Sequence, residues 1–565
     1  MYTEWIEKLN PKPKFNLTWY KNEDLYSDGD IEDLIIKLIA ENEPENFSRA
    51  IRENLCWATY YHLTHLRKNL LNWYPFKKES SLLEIGCGMG AATNMFCEKC
   101  ESVTAVELSK RRAAGALLRC RERENLEIIV GNLNDIQFDK KFDYITLIGV
   151  LEYQGTYTNS SNSYLDFLVE IRKLLKPGGK LLIAIENKYG LKYWCGAKED
   201  HTGIPFEGMN QYAISNRKVK TFARKELEDL VKESGFENAF FYYPMPDYKL
   251  PTVVYSQSSL PTDENMQSLR PYYIPDTDTV IANEKQIYKD VIENNAFEFF
   301  ANSFLVECSD DEEVGRILFS RLSSERKDKY QIATVFTNEN MVEKFALIPE
   351  KGETHIAQIL KNHNALERAG KKTLAMELNK GRLISPYISA PLLQDIALDT
   401  CRRKDMAGFF QIIDKVWEEI LSSSNHIKAE DNIFFTTGID EDRDTEKYGP
   451  ILRIGYLDMV LSNAFYDNGE LLWFDQEWIL ESVPAKFVLY RGIVEFYNAY
   501  PWMESFISVE MMAARYGMLS VWEQFQILAG TFLDMLSDEY HWGIRQMNIP
   551  IDRDTCARNI QKLLE

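Results

Sequence analysis

The sequence predicts an α/β protein, an open parallel sheet with helices on both faces, followed by a second, α+β module. Three observations carry this. Residues 82–90, Leu-Leu-Glu-Ile-Gly-Cys-Gly-Met-Gly, run an apolar strand into a turn holding Gly86, Gly88 and Gly90; a helix (Ala91 to about Cys100) then leads to a second apolar strand, Val103–Glu107, that ends on a carboxylate. Apolar runs near 82–86, 103–107, 127–131, 142–149 and 180–186 alternate with helical stretches, the pattern of a parallel sheet covered on both sides. From about residue 300 a new pattern begins, with strand-tip carboxylates of its own.

Taken in order, residues 1–75 are expected to form a helical cap, with an amphipathic stretch near Ile31–Ile39 and one long helix over 47–74. In that helix His62, His65 and Arg67 read as packing residues before pocket residues. The glycine turn follows. Glycine lets the backbone turn tightly and lets a ligand lie against it with no Cβ in the way. Glu107, at the tip of the next strand, is placed to accept hydrogen bonds from ribose hydroxyls. Gly86-x-Gly88-x-x-Ala91 also satisfies the dinucleotide fingerprint, so the glycines alone do not separate NAD from S-adenosylmethionine (SAM). Three features favour SAM. Glu84, just before the turn, is placed to reach the methionine end. Phe142–Glu152 is a buried strand running into a loop able to floor a pocket. Leu174–Ile185 reads as a helix end, a Pro-Gly-Gly turn and a central strand.

Glu84-x-Gly-x-Gly-x-Gly90, the strand-end Glu107, Val130-Gly-Asn132 and Leu175-Lys-Pro-Gly-Gly179, in this order, resemble class I SAM-dependent methyltransferases. That resemblance implies a Rossmann-like methyltransferase sheet over 76–256 and SAM as cofactor. By it, Glu84, Gly86, Gly88 and Gly90 would hold the amino acid part and Glu107 the ribose, with Cys87 and Leu108 also among the cofactor-binding residues. Asn132 and Leu133 would lie beside adenine, and Gly149 and Val150 under the sulfonium. Asn132 stands where the family often has Asp; its carbonyl oxygen can still accept from the adenine amino group.

Residues 187–220 form an insertion leaving the carboxyl end of a central strand, where open α/β sheets place ligands. It reads as the acceptor loop, with His201 as candidate general base because imidazole titrates near neutrality; the bland alternative is that Asp200 and His201 only order the loop. A helix over 224–234 ends at Gly235. Phe240–Tyr243 and Thr252–Tyr255 are then expected to close the sheet antiparallel, with the Pro244–Pro251 link facing the pocket. Residues 257–299 read as a linker or arm.

In the second module, expected over 300–565, Asp458-x-x-x-x-Asn463 precedes an apolar strand, Leu471–Phe474, ending on Asp475. In phosphoryl transfer one carboxylate orients the attacking hydroxyl while an Asn and a second carboxylate hold Mg²⁺. The set resembles protein-kinase-like and aminoglycoside-kinase-like phosphotransferases. By that resemblance Asp458 would be the base, Asn463 and Asp475 the Mg²⁺ ligands and Lys344 the contact to ATP phosphates, paired with Glu353 or Glu367. Strands near 316–320, 330–337 and 341–347 and a helix over 354–368 fit this reading, with Ser323–Arg326 as the phosphate-covering loop. Tyr456, Gln476, Glu477 and the absence of glycine near Ser323 depart from it.

The pairing of the two modules resembles the methyltransferase–kinases, and the glycosyltransferase-associated methyltransferases, of bacterial surface-polysaccharide (O-antigen) biosynthesis, also through Ile185–Trp194 and Glu199–Gly203. It implies a glycan or glycan-lipid acceptor and glycosyltransferases as partners. A bifunctional methyltransferase–kinase and a non-catalytic SAM-binding scaffold are the alternatives.

The whole chain sets bounds on these readings. Its 565 residues suggest several domains. A formal charge of −21 and a pI of about 5.0 repel a phosphate backbone, so nucleic acid is a disfavoured partner. Basic runs at Lys110–Arg112 and Arg119–Arg123 read as solvated helix faces. Nine cysteines, an odd number, fit reduced thiols and a cytoplasmic location. Cys97-x-x-Cys100 lies in a helix with no second pair, which disfavours zinc. Met1–Glu7 does not read as a signal peptide or anchor. No run reaches the roughly 20 apolar residues that span a bilayer, so membrane association is peripheral at most.

Overall fold

The computed structural model describes residues 2–24, 29–158, 160–215, 218–267, 269, 277–441, 444–467, 469–538 and 551–564. It divides into two compact units. One comprises Met1–Ser324, Thr337–Glu339 and Glu539–Glu565, the other Glu325–Phe336 and Asn340–Asp538.

The first unit is built on ten strands: β1 (Lys14–Asn16), β2 (Ser81–Ile85), β3 (Ser102–Glu107), β4 (Leu126–Val130), β5 (Phe142–Ile148), β6 (Leu175–Glu186), β7 (Asn238–Met245), β8 (Val253–Ser256), β9 (Ser303–Ser309) and β10 (Ile317–Leu322). They lie in the order β1-β4-β3-β2-β5-β6-β9-β7-β8-β10. The pairs from β1 through β6 are parallel. Those from β6 through β10 are antiparallel. Buried aliphatics of β2, β5 and β6, among them Leu83, Ile145, Leu147 and Ile183, fill the core beneath the helices. The five expected parallel strands are all present.

Several boundaries differ from the sequence reading. Residues 47–74 are not one helix but Phe47–Glu53, Trp57–Leu63 and a 3₁₀ turn, His65–Leu70. The break at Thr64 has a local cause: its backbone is extended, and its hydroxyl accepts the Leu66 N–H at 3.3 Å. The supposed cap is part of the same unit, since β1 adds a strand beside β4. The basic runs are not solvated either. Arg111 and Arg112 hold the fully buried Glu32, at 2.5 and 3.5 Å, and Arg119 donates to the His62 and Leu63 carbonyls.

The largest correction concerns 257–299 and the boundary at 300. Met266, Leu269, Tyr288, Val291 and Phe297 are core residues, so most of the described part of this stretch folds as helices against the sheet rather than as a linker. The two expected closing strands are present as β7 and β8 and pair antiparallel, but a strand the sequence reading did not place there, β9, stands between β6 and β7. Every residue of β9 is buried, which is why its pattern does not alternate. The expected kinase-module strand near 316–320 is β10, paired with β8. At the other end, Asn559 donates to the Thr277 and Val280 carbonyls, so helix Arg553–Leu564 also belongs to this unit.

The second unit is α+β. Strands β11 (Ile332–Thr337), β12 (Met341–Ala346), β13 (Glu377–Asn379) and β14 (Arg382–Pro386) pair antiparallel as β11-β12-β14-β13, and helix Pro349–Arg368 lays Ile356 and Ile359 against them. Beyond it, β15 (His426–Ile427), β16 (Ile451–Tyr456) and β19 (Ile479–Pro484) form a second sheet, with a hairpin of β17 (Ala464–Asp467) and β18 (Glu470–Trp473). Helices Met406–Leu421, Ala485–Ala499 and Trp522–Leu536 bury Phe409, Phe487 and Phe525 in one core. Tyr490, Phe496 and Tyr497 lie in that core, while Trp502 is 43% exposed.

The placement of β9 has a direct consequence. A fragment ending at residue 256 lacks the strand between β6 and β7, leaving two long apolar edges unpaired. It is expected to aggregate or to show no cooperative melt, whereas a fragment of residues 1–324 keeps all ten strands and should show one. A cooperative melt for 1–256 would contradict the assigned register.

Candidate active site

The carboxyl ends of β2, β3, β5 and β6 open into a cavity of about 430 Å³, within the range of small-molecule sites. One wall is the glycine turn. Gly86 and Cys87 donate their N–H groups to the Val106 carbonyl, at 2.8 and 3.2 Å. Gly86, at φ +74°, has room for no side chain, since a Cβ would stand 2.5 Å from Val150 Cγ2. Gly88, at φ +53°, faces open space. Its N–H donates to Glu107 Oε2 at 2.8 Å, and Ser109 N–H donates to Glu107 Oε1 at 3.0 Å. The Glu107 carboxylate is thus fixed at the rim by two backbone donors, with lone pairs left for a ligand's hydroxyls.

Gly86, Cys87, Gly88, Glu107 and Leu108 line this cavity, as do Asn132, Leu133, Gly149, Val150 and His201. Glu84 and Gly90 do not. Glu84 lies beneath the turn, 4% exposed, and desolvation raises its pKa to about 7. Gly90 serves packing: a Cβ there would meet the Ala116 backbone at 3.0 Å. Asn132 turns its Oδ1 onto the Asn134 N–H, capping the turn beside the cavity. The break at Thr64 leaves His62 and Arg67 on the wall, while His65 bonds the Ser324 carbonyl instead.

The opposite wall is charged. Glu186, at the tip of β6, is fully buried. Its Oε1 accepts from Lys249 Nζ at 2.5 Å and Tyr248 O–H at 3.1 Å, and its Oε2 lies 3.7 Å from His201 Nε2. Lys249 also reaches Asp200 at 3.0 Å, and Lys192 bridges Asp200 and Asp247 at 3.0 and 3.4 Å. His201 Nδ1 meets Tyr153 Oη at 3.1 Å. Glu152, after β5, is fully buried and neither of its carboxylate oxygens has a hydrogen-bond partner. The insertion therefore does bring Asp200 and His201 to the cavity, and the 244–251 link brings Tyr248 and Lys249.

Titration changes the role expected for His201. Burial alone would lower its pKa, but Glu186, Glu152 and Glu199 outweigh this and hold it at about 9. At neutral pH it is an imidazolium, a donor and not a base. Glu152 is pushed up to about 8, first by desolvation and then by Glu186, so it carries a proton. Glu186 moves the other way, held ionised by Lys249 and His201 against its desolvation. The sequence reading missed Glu152 and Glu186. The rule that found Glu107, a carboxylate at a strand tip, applies equally to Ile183-Ala-Ile-Glu186.

In the second unit Lys344, on β12, pairs with Asp475 and not with Glu353 or Glu367, which are exposed on helix Pro349–Arg368. That helix instead sends His355 to Glu477 Oε1 at 2.7 Å and Asn362 to the Glu477 carbonyl at 2.9 Å. Asp475 stands at φ +54°, an uncommon conformation for a residue with a side chain. Asp458 Oδ2 accepts the Trp478 N–H at 2.7 Å, and Asn463 Nδ2 donates to the Asp458 carbonyl at 3.2 Å. Desolvation raises Asp458 to about 7 although Arg491 opposes it. Ser323–Arg326 is no free covering loop: Asn69 donates to Ser324 Oγ at 2.7 Å, and Arg326 pairs with Glu477.

Residues 83–183 match the family model of a methyltransferase domain. The chain thus carries a class I, SAM-dependent methyltransferase domain with a Rossmann-like fold. Among curated relatives, a malonyl-[acyl-carrier protein] O-methyltransferase from Priestia megaterium is 28% identical over 124 residues, 22% of this chain and 42% of the relative. A demethylmenaquinone methyltransferase from Tropheryma whipplei is 33% identical over 120 residues, 21% and 47%. The chain spans less than half the length of each. Among solved structures, a Haemonchus contortus phosphoethanolamine N-methyltransferase 2 in complex with S-adenosyl-L-methionine aligns at 17% identity and a TM-score of 0.27, covering 43% of this chain and 52% of that one.

The titrations carry a sign. Glu152 and His201 keep their protons in the folded state up to about pH 8 and 9, against ordinary values of 4.5 and 6.5. Folded protein binds more protons across that window, so its stability falls as pH rises. Glu186, already ionised, adds no slope there. In EDTA buffer the melting temperature of the first unit is expected to drop between pH 6.5 and 9, and Glu152→Gln should flatten the drop. Identical slopes for both proteins would contradict the assignment.

Proposed function

We propose that this protein is a SAM-dependent methyltransferase acting on an oxygen of a glycan or glycan-linked acceptor. One observation carries the reading: the Gly86–Gly88 turn and the Glu107 carboxylate share one cavity with the charged wall of Glu152, Glu186 and His201. The turn and carboxylate suit a nucleoside with an amino acid tail. Gly88 leaves open space where a Cβ would stand, and Glu107 has acceptor capacity to spare. Bound there, SAM supplies an electrophilic methyl group on a sulfonium. The chain's own residues hold and orient, which is most of what an in-line displacement needs. In the metal-free site His201, engaged at Nδ1 by Tyr153, is a cation facing an acceptor oxygen that is already anionic; the transferred methyl neutralises that oxygen, so no proton has to leave. The glycan class rests on the loop segments that resemble polysaccharide-pathway methyltransferases, because these segments supply Glu186, Asp200 and His201 to the wall.

Titration of the purified chain with SAM is expected to give micromolar binding. Glu107→Ala should weaken it by about 1–3 kcal/mol, the cost of a lost buried acceptor. Turnover is checked with methyl-labelled SAM and a panel of free and lipid-linked oligosaccharides. Wild-type binding unchanged in Glu107→Ala would sink the cofactor orientation, and SAM binding without turnover on any acceptor would favour a scaffold.

A second reading concerns the second unit. The Lys344–Asp475 pair, with Asp475 held in a left-handed conformation near Asp458 and Asn463, favours nucleotide-dependent phosphotransfer. Lys344 would meet ATP phosphates and Asn463 and Asp475 would hold Mg²⁺, making the chain bifunctional. ATP-dependent phosphate incorporation into the acceptor should vanish in Asp475→Ala; incorporation that persists would end this assignment.

A further inference from the structure

Resting on the methyltransferase reading, we infer that the cavity wall holds a hard divalent cation, of the Mn²⁺ or Mg²⁺ kind, on Glu152, Glu186 and His201. The three side chains come from separate elements: the turn after β5, the tip of β6 and the 187–220 insertion. Their ligand atoms nevertheless lie within 4.8 Å of one another. A second observation points the same way. Glu152 is fully buried, yet neither carboxylate oxygen has a hydrogen-bond partner, and Glu186 Oε2, facing the same point, has none either. Buried carboxylate oxygens are ordinarily satisfied. A cation between them supplies what the protein does not.

The surroundings are arranged as a ligand shell requires. Glu186 Oε1 is occupied by Lys249 and Tyr248, which fixes the carboxylate and turns Oε2 toward the site. His201 Nδ1 is engaged by Tyr153 Oη, which leaves Nε2 as the ligating nitrogen and sets its tautomer when the ion displaces the proton. Two carboxylates with one imidazole make an oxygen-rich set, suited to Mn²⁺ or Mg²⁺ more than to thiophilic metals. The three ligands line the same cavity as Glu107 and the glycine turn, so an ion held there would share that cavity with the acceptor. The acceptor class that follows is one presenting a hydroxyl or carboxylate oxygen to a metal.

The test uses the full-length chain, stripped with EDTA, in an Asp475→Ala background so that the second unit's own candidate ligands are disabled. Mn²⁺ is titrated and free ion is followed by electron paramagnetic resonance, alongside a separate SAM titration. We expect one Mn²⁺ per chain, at least tenfold weaker binding in both Glu152→Gln and His201→Gln, and unchanged melting cooperativity in at least one of these variants. Binding of Mn²⁺ that is absent, or equal in parent and variants, overturns the inference. If SAM still binds in that case, the metal site fails and the methyltransferase reading stands; if SAM fails to bind, that reading falls independently of Mn²⁺.

Discussion

The site depends on one constraint, the register of four parallel strands whose carboxyl ends reach the same edge. Ile85 faces both Val106 and Leu147, and Ile148 faces Ala184. Each turn is then anchored on its neighbour: Gly86 N–H on the Val106 carbonyl at 2.8 Å, Gly149 N–H on the Ala184 carbonyl at 2.9 Å. A slip of one residue in any pair would turn alternate side chains to the other face. A slip between β2 and β3 would take Glu107 from the cavity and from the Gly88 N–H, and one between β5 and β6 would take Glu186. β9 and β7 matter for the same reason. They extend the sheet beyond β6 and keep that strand, with Glu186 at its tip, buried on both edges.

Electrostatics then divides the cavity into two unlike walls. On the glycine side the Glu107 carboxylate is held by two backbone donors, the Gly88 and Ser109 N–H groups. On the other side, charges sit where water is largely excluded, and charges so placed persist only when paired. Glu186 with Lys249, and Lys192 between Asp200 and Asp247, meet that condition. Glu152 does not meet it as an anion and escapes by keeping its proton. The pair Glu152 and Glu186, so close and so differently titrated, is what the like-charge rule demands of two carboxyls sharing one site. Their separation into one acid and one base form is set by where Lys249 lies.

Much of this was legible in the sequence, and the parts that were not share a cause. β2 to β6 are apolar runs closed by glycine, proline or a carboxylate, and local pattern suffices to find them. The cavity residues on the glycine side follow from the same local motif. β9 was hidden because a strand buried on both faces, and separated from β8 by residues 257–302, declares neither its period nor its partners. Residues 257–299 look polar, yet Tyr288 and Phe297 pin the helices that carry them to the core. His201 was found as a chemically able residue, but its charge state depends on Glu152 and Glu186, which only folding brings to it. Lys344 was likewise found, and its partner mistaken, because the choice between Glu353, Glu367 and Asp475 is a matter of tertiary placement.

The central claim is that a single cavity seats the nucleoside on Glu107 and turns the reacting end toward Glu152, Glu186 and His201. A crystal structure of the full chain with S-adenosylhomocysteine tests it most directly. The account predicts ribose hydroxyls on the Glu107 carboxylate and the sulfur facing the charged wall. A ligand seated elsewhere, or reversed so that adenine meets Glu152, would contradict it.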